Sequence, residues 1–241
     1  MKSKTLLSLS GIVFVATLFM SCTPDKDVLV RLTRYEVKQG YQEQFRKALS
    51  DYVLQALTVE SNIMAEAYHE QENPGVLWLV ERWKNKTKLD QSGAGMQFKA
   101  IQRLAKEALE QPSKFFYAKD LEPLSKTQWR KSAKKEDHPL TVMLFVDTKP
   151  GTQETLKDVY HTAMPQFRSE PGVITYQLSQ LKEDETQFVT YEKFRSDEAF
   201  QYHLKFPPVK PVIDFLETNS EEPPFQRGLH QLIEFTPLLS E

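Results

Sequence analysis

The chain has 241 residues, a formal net charge of −2, 40% hydrophobic and 27% charged residues, and only 8 Gly and 14 Pro. That balance excludes a disordered or collagen-like chain and a polytopic membrane protein, and its lack of a global basic field gives no reason to expect a nucleic-acid partner. The length suits two small folding units, and the lone cysteine, Cys22, excludes an internal disulfide.

At the N-terminus, Lys2 and Lys4 precede an apolar run of 15 residues from Leu6 to Met20, and the small residue Ser21 stands before Cys22. This order predicts a cleaved secretory signal over residues 1–21, because a spanning helix needs ~20 apolar residues. Phe19-Met20-Ser21-Cys22 resembles a bacterial lipobox, with Phe19 where leucine is more usual. The resemblance implies that Cys22 is lipidated and that the protein is exported and anchored to a bacterial membrane, on its periplasmic or cell-surface side. Residues 22–27 then form a tether, and the 220 residues left after cleavage carry a charge of −4.

From residue 28 onwards an order of features repeats, and such self-similarity bears on the whole fold. Residues 28–36 are β-prone, after which Tyr41, Phe45, Leu49, Tyr52, Val53 and Ala56 fall at helical spacing. Residues 63–71 and 77–83 read as strands on either side of Asn73-Pro74-Gly75, a second helix follows, and residues 115–122 read as a closing strand. Residues 125–139 carry Lys126, Arg130, Lys131, Lys134 and Lys135 and read as a solvated linker, or else as a basic patch for anionic lipid.

The second unit repeats the order. Residues 140–147 read as a strand, and Leu156, Val159, Tyr160, Ala163, Met164 and Phe167 mark a helix that Pro165 is expected to kink or end early. Glu170-Pro171-Gly172 signals a turn before strands at 173–181 and 188–194, Ser196 caps a second helix, and a last strand covers 228–235. Gly40 and Gly151 are 111 residues apart, as are Glu81 and Glu192. Each unit therefore reads βαββαβ, a ferredoxin-like α+β arrangement, over residues 28–124 and 140–238.

After the Glu-Pro-Gly turn, the run from Tyr191-Glu192-Lys193-Phe194 through Arg195-Ser196-Asp197-Glu198-Ala199-Phe200 to Gln201-Tyr202-His203 resembles the antibiotic biosynthesis monooxygenase domain of the dimeric α+β barrel superfamily. The first copy keeps Glu81 and an aromatic, Trp83, but has Ser92 where the second has His203. The resemblance implies two tandem units forming one fused dimeric α+β barrel, an intramolecular pseudo-dimer in which each sheet covers the other. It also implies cofactor-free oxygenation of a small aromatic, phenolic or quinol-like molecule, in which a base takes a proton and the substrate anion reacts with oxygen.

His203 is the candidate base, since an imidazole accepts a proton near neutral pH, and Glu192 is a second catalytic candidate, as an acid or as the group that orients His203, or else a structural strand carboxylate. Alternation places Leu79, Glu81 and Trp83 on one strand face and Phe188, Thr190, Glu192 and Phe194 on the matching one. Trp83, Phe194 and Tyr35 are candidate walls of a substrate site, with Arg31 and Glu81 as candidate polar contacts. Arg31 reads equally as a structural ion-pair partner of Glu81. Relatives that hold haem use an aromatic with a histidine and a first-strand asparagine; Trp83 lacks that histidine and neither first strand has Asn, so no cofactor is expected. His69, His138, His161 and His230 show no metal-ligand spacing, so no metal is expected. The alternative is a non-catalytic lipoprotein whose barrel binds a small apolar ligand or a protein partner, because a fold does not fix a function.

Overall fold

The computed structural model describes residues 28–131 and 133–237, so the expected signal, tether and Cys22 lie outside the described residues. The first unit contains β1 (Leu29–Glu36), α1 (Gln42–Thr58), β2 (Asn62–Glu70), β3 (Val76–Trp83), α2 (Lys86–Gly93), α3 (Met96–Ala108) and β4 (Lys114–Asp120). A short helix, α4 (Lys126–Trp129), precedes the second unit. That unit contains β5 (Leu140–Asp147), α5 (Gln153–Phe167), β6 (Val173–Leu181), β7 (Gln187–Phe194), α6 (Asp197–His203), α7 (Lys210–Asn219), α8 (Pro224–Arg227) and β8 (Leu229–Thr236).

Local chemistry explains several of these boundaries. The side chains of Asn85 and Ser196 accept hydrogen bonds from the backbone N–H of Lys88 and Ala199, satisfying donors that the first turns of α2 and α6 leave open. The single second helix expected in each copy is two helices, broken at Ala94-Gly95 in the first and by the stretch containing Pro207-Pro208 in the second. The expected early end at Pro165 does not occur: α5 continues to Phe167. Pro165 lies in the last turn, where its missing N–H forfeits one hydrogen bond while buried Met164 and Phe167 hold that turn to the core.

All eight strands close into one antiparallel barrel in the order β1-β3-β2-β8-β5-β7-β6-β4. Each unit supplies four adjacent strands, and the edges of one sheet pair with the edges of the other. Tyr68 of β2 stands opposite Glu234 of β8, and Lys119 of β4 opposite Gln180 of β6. A four-stranded sheet with helices on one face needs cover on the other; here each sheet covers its counterpart, and fusion removes the exposed edges that would otherwise pair with other chains.

Side-chain alternation then divides the interior into three layers. Val30, Leu32, Trp78, Val80, Met143 and Tyr191 fill the barrel. Leu77, Leu79 and Trp83 face α1 and α3 on the first sheet's outer side, and Leu144, Val146 and Phe188 face α5 and α7 on the second's. Glu81 and Glu192 belong to these outer layers by the same period of two.

The segment between the units departs from the solvated linker expected of it. Trp129 is buried at one end of the barrel, with the Arg82 guanidinium 3.6 Å from its ring centroid and Tyr191 at 5.5 Å. Arg130 donates to the backbone oxygens of Leu57, Asn62 and Ile63. Counting lysines and arginines overlooked one tryptophan and the carbonyls left open where α1 gives way to β2; both draw the segment onto the barrel.

Candidate active site

In the first copy, Arg31 and Glu81 are direct cross-strand neighbours on β1 and β3. Arg31 Nε donates to Glu81 Oε2 at 2.7 Å, and Glu81 Oε1 accepts from Tyr52 Oη at 2.6 Å and Trp83 Nε1 at 3.1 Å. Tyr52 is also 2.9 Å from Ser92 Oγ, and the Arg31 guanidinium lies 4.6 Å from the Phe98 ring centroid. Although burial opposes its charge, the neighbouring Glu81 and Tyr52 hold the Arg31 pKa above its ordinary value. Tyr35 is buried on Phe45, with its hydroxyl lacking a hydrogen-bond partner among the described residues, and burial pushes its pKa up. Arg31, Glu81, Tyr52, Trp83 and Ser92 satisfy one another, and with Tyr35 and Phe98 they occupy the space between the first sheet and its helices.

The second copy has no cation there. Val142 stands opposite Glu192, as Arg31 stands opposite Glu81. Between sheet and helices lies a cavity of about 520 Å³, bounded by Tyr160, Tyr176, Glu192, His203, Val212 and Leu229 among others. Tyr176 Oη donates to Glu192 Oε1 at 3.0 Å. Burial pushes Glu192 up to about 7, against the lowering effect of hydrogen bonds from Thr190 and Tyr176.

His203 ends α6 with its Nδ1 2.7 Å from Glu170 Oε1, a residue of the turn between α5 and β6. Phe167, Phe194 and Tyr176 surround the ring, with centroids 4.8, 5.2 and 5.5 Å away. Burial lowers the imidazole to about 4 and raises Glu170 to about 7, with Glu192 adding to the latter. Direct contact between His203 and Glu170 works against both shifts, because each charged form stabilises the other. With Nδ1 engaged, Nε2 is the ring nitrogen left to exchange a proton, and it makes no hydrogen bond among the described residues.

The residues singled out in the sequence thus divide between two places. Arg31, Tyr35, Glu81 and Trp83 belong to the filled first copy, while Glu192, Phe194 and His203 belong to the open second copy, so Trp83 and Tyr35 are not walls of the His203 site. Glu192 does not orient His203 through a direct bond; Glu170 does. Sequence reasoning read Glu170 only as part of a turn and passed over Tyr160 and Tyr176 as core. The useful signal was a carboxylate in a turn, beside a strand whose alternation aims Tyr176 at the same layer as Glu192. Among the described residues, no group of three or more His, Cys, Asp or Glu side chains is arranged to hold a metal ion.

A family model described as antibiotic biosynthesis monooxygenase matches the chain twice, over residues 28–104 and 139–213. An uncharacterized protein of Synechocystis is 30% identical over 71 residues, which are 30% of this chain and 48% of that protein, so the match spans about half of that relative. Among solved structures, a candidate monooxygenase from Fusobacterium nucleatum superposes with a TM-score of 0.73 at 13% identity, covering 88% of this chain and 94% of that one. A candidate monooxygenase from Lactobacillus acidophilus gives 0.71 at 14% identity, covering 86% and 94%. An anthrone oxidase-like protein gives 0.60 at 13% identity, covering 90% and 96%.

Proposed function

The chain belongs to the antibiotic biosynthesis monooxygenase family, with two copies of the domain fused into one dimeric α+β barrel, and from that premise we propose that its second copy oxidises a small phenolic or quinol-like aromatic. The observation that carries the reading is the cavity of about 520 Å³ beside His203, apolar along Val142, Leu144, Val212 and Leu229 and polar at Tyr160, Tyr176, Glu192 and His203, with Gln201, Glu217 and Gln231 also on its lining. Such a cavity suits a single aromatic molecule with one or two hydroxyls.

In this reading, His203 Nε2 takes the phenolic proton while Glu170 holds the ring and stabilises the imidazolium that forms. Burial favours a neutral His203 and a protonated Glu192 at the start of the reaction. The carboxyl group then supplies a hydrogen-bond donor to the substrate, and the apolar walls exclude water from the anion. Dioxygen is the co-reactant: one oxygen atom enters the ring, the other leaves as water, and all four electrons come from the phenol as it becomes a quinone. The first copy, with Arg31 closing onto Glu81, serves as the structural half of the barrel.

Oxygen uptake with a panel of phenols and quinols tests the reading. Turnover that falls by at least about 100-fold in His203→Ala, the scale expected on losing a general base, supports it. Turnover unchanged in that variant overturns the role of His203. Absence of turnover with a ring compound still bound in the cavity would favour the non-catalytic binding protein. We also propose lipid anchoring through Cys22, on the strength of the sequence around it; radiolabelled palmitate incorporation, lost in Cys22→Ser, tests that.

A further inference from the structure

The barrel has a second cavity, on the opposite side of the second sheet from His203. Leu144 and Phe145 are successive residues of β5, so Leu144 points to the helices and Phe145 into the barrel. At the barrel end formed by the finish of β1 and β5 and the start of β4 and β7, four aromatic side chains meet. Trp78 and Phe116 come from the first copy, Phe145 and His230 from the second. Ring centroids are 6.1 Å apart for Trp78 and Phe116, 5.1 Å for Phe116 and Phe145, and 5.7 Å for Phe145 and His230. These contacts make a continuous aromatic floor rather than four separate rings.

The floor is held in place by one carboxylate. Glu70 accepts from Trp78 Nε1 at 2.9 Å, lies 3.0 Å from His230 Nδ1, and has Arg34 Nε at 3.7 Å. Above it opens a cavity of about 550 Å³ reaching the rim residues Arg34, Lys114, Asp147 and Arg227. Most rim charges already have partners: Arg34 pairs with Glu36, Arg227 with Glu222 at 2.7 Å, and Asp147 accepts from Thr186 at 3.2 Å. Lys114 is the exception; it lines the cavity and its ammonium makes no hydrogen bond or ion pair among the described residues.

We propose that this end of the barrel is a second binding site, specific for a planar aromatic anion such as an aryl carboxylate. The ring lies on Phe116, Phe145 and Trp78, and the anionic group meets the Lys114 ammonium. Each copy supplies part of the floor, so only the fused barrel has the site. Its volume falls in the range of small-molecule pockets, with one uncommitted charge to fix orientation.

Binding of 2-naphthoate and of the neutral 2-naphthalenemethanol to the full chain, followed by calorimetry, tests the proposal. Lys114→Gln should weaken naphthoate by about fivefold, the scale of a partly exposed ion pair, and leave naphthalenemethanol within about twofold. Phe116→Ala should weaken both by about tenfold or more, and His203→Ala neither. As Lys114 is exposed, its variant keeps the test independent of folding. No binding of naphthoate by the wild-type chain, an unchanged affinity in Lys114→Gln, or a loss that follows His203→Ala would each overturn it. The last of these would place the ligand in the catalytic cavity.

Discussion

Glu81 and Glu192 hold equivalent places on β3 and β7, yet Glu81 is bonded to Arg31 and Glu192 to Tyr176. At the register position facing each carboxylate, Arg31 in the first copy is matched by Val142 in the second. A guanidinium fills the outer layer of one sheet and ties down its carboxylate. A valine leaves a cavity on the other, with a carboxyl group that burial favours keeping protonated. This exchange, together with Ser92 in the first copy against His203 in the second, separates a closed network from an open cavity.

Removing Arg31 should be costly. Arg31→Val leaves Glu81 buried without its cation, and unfolding by urea should show a loss of about 3–5 kcal/mol, the usual cost of breaking a buried pair from one side. Arg31→Val combined with Glu81→Gln should recover part of that loss. Val142→Arg should do the reverse in the second copy, pairing with Glu192 and eliminating oxidation by filling the cavity.

Glu192 should make stability depend on pH. Its folded-state pKa of about 7 lies above the ordinary carboxylate value of 4.5, so between the two the folded state binds the proton more tightly. Stability from this group is full below about pH 4.5 and falls as pH rises through about 7, by at most about 3 kcal/mol. Glu192→Gln should match the wild type near pH 4.5 and melt several degrees higher at pH 8. Thermal scans of both proteins across that range check it, and the difference between them isolates Glu192 from Glu170 and from the opposite trend of His203.

Glu170 should act as a positioning residue through His203. Burial raises Glu170 and the His203 contact opposes that rise, so the rate of oxidation should climb with pH as the carboxylate forms behind the imidazole. Glu170→Gln keeps a hydrogen-bond acceptor for Nδ1–H but not the charge. It should lower kcat by about 10–100-fold, the scale of losing such an orienting partner, and remove the rise from the pH–rate profile. A purely structural role would shift the melting temperature and leave the profile unchanged.

Trp129 and Gly228 should each be sensitive to substitution. Trp129→Ala empties the end of the barrel beside Arg82 and should cost about 3–5 kcal/mol in chemical denaturation. A Cβ on Gly228 would lie 2.0 Å from the Phe145 carbonyl oxygen, whose backbone cannot swing away as a side chain would. Gly228→Ala should therefore destabilise by more than about 2 kcal/mol and disturb the aromatic end of the barrel.

The fold was largely legible from the sequence because two signals reinforced each other. Alternation fixed which face of residues 77–83 and 188–194 shared a layer, and the 111-residue spacing of Glu81 and Glu192 joined the two halves. The site was less legible because its contacts are long-range. Glu170 reaches His203 across 33 residues, and no local pattern distinguishes a turn carboxylate facing water from one facing a buried ring. Trp129 was hidden by its lysine and arginine neighbours. Whether the open copy was the first or the second depended on Arg31 finding Glu81, a pairing that strand alternation allowed but only the register of β1 and β3 decides.

The pairing of β8 with both β2 and β5 also sets an order of events for a chain that emerges N-terminus first. β8 follows the other seven strands in the chain and closes the ring between the two sheets. Until it emerges, the buried Lys193 lacks Glu234, and the Trp78 face stays wet on one side. The first unit can form its helices and outer layer as it emerges, but the interior of the barrel is completed only when the second unit is almost fully made. The emerging chain therefore passes through an interval with a sheet face and its edge strands open, in which a holding chaperone would have a defined surface to cover.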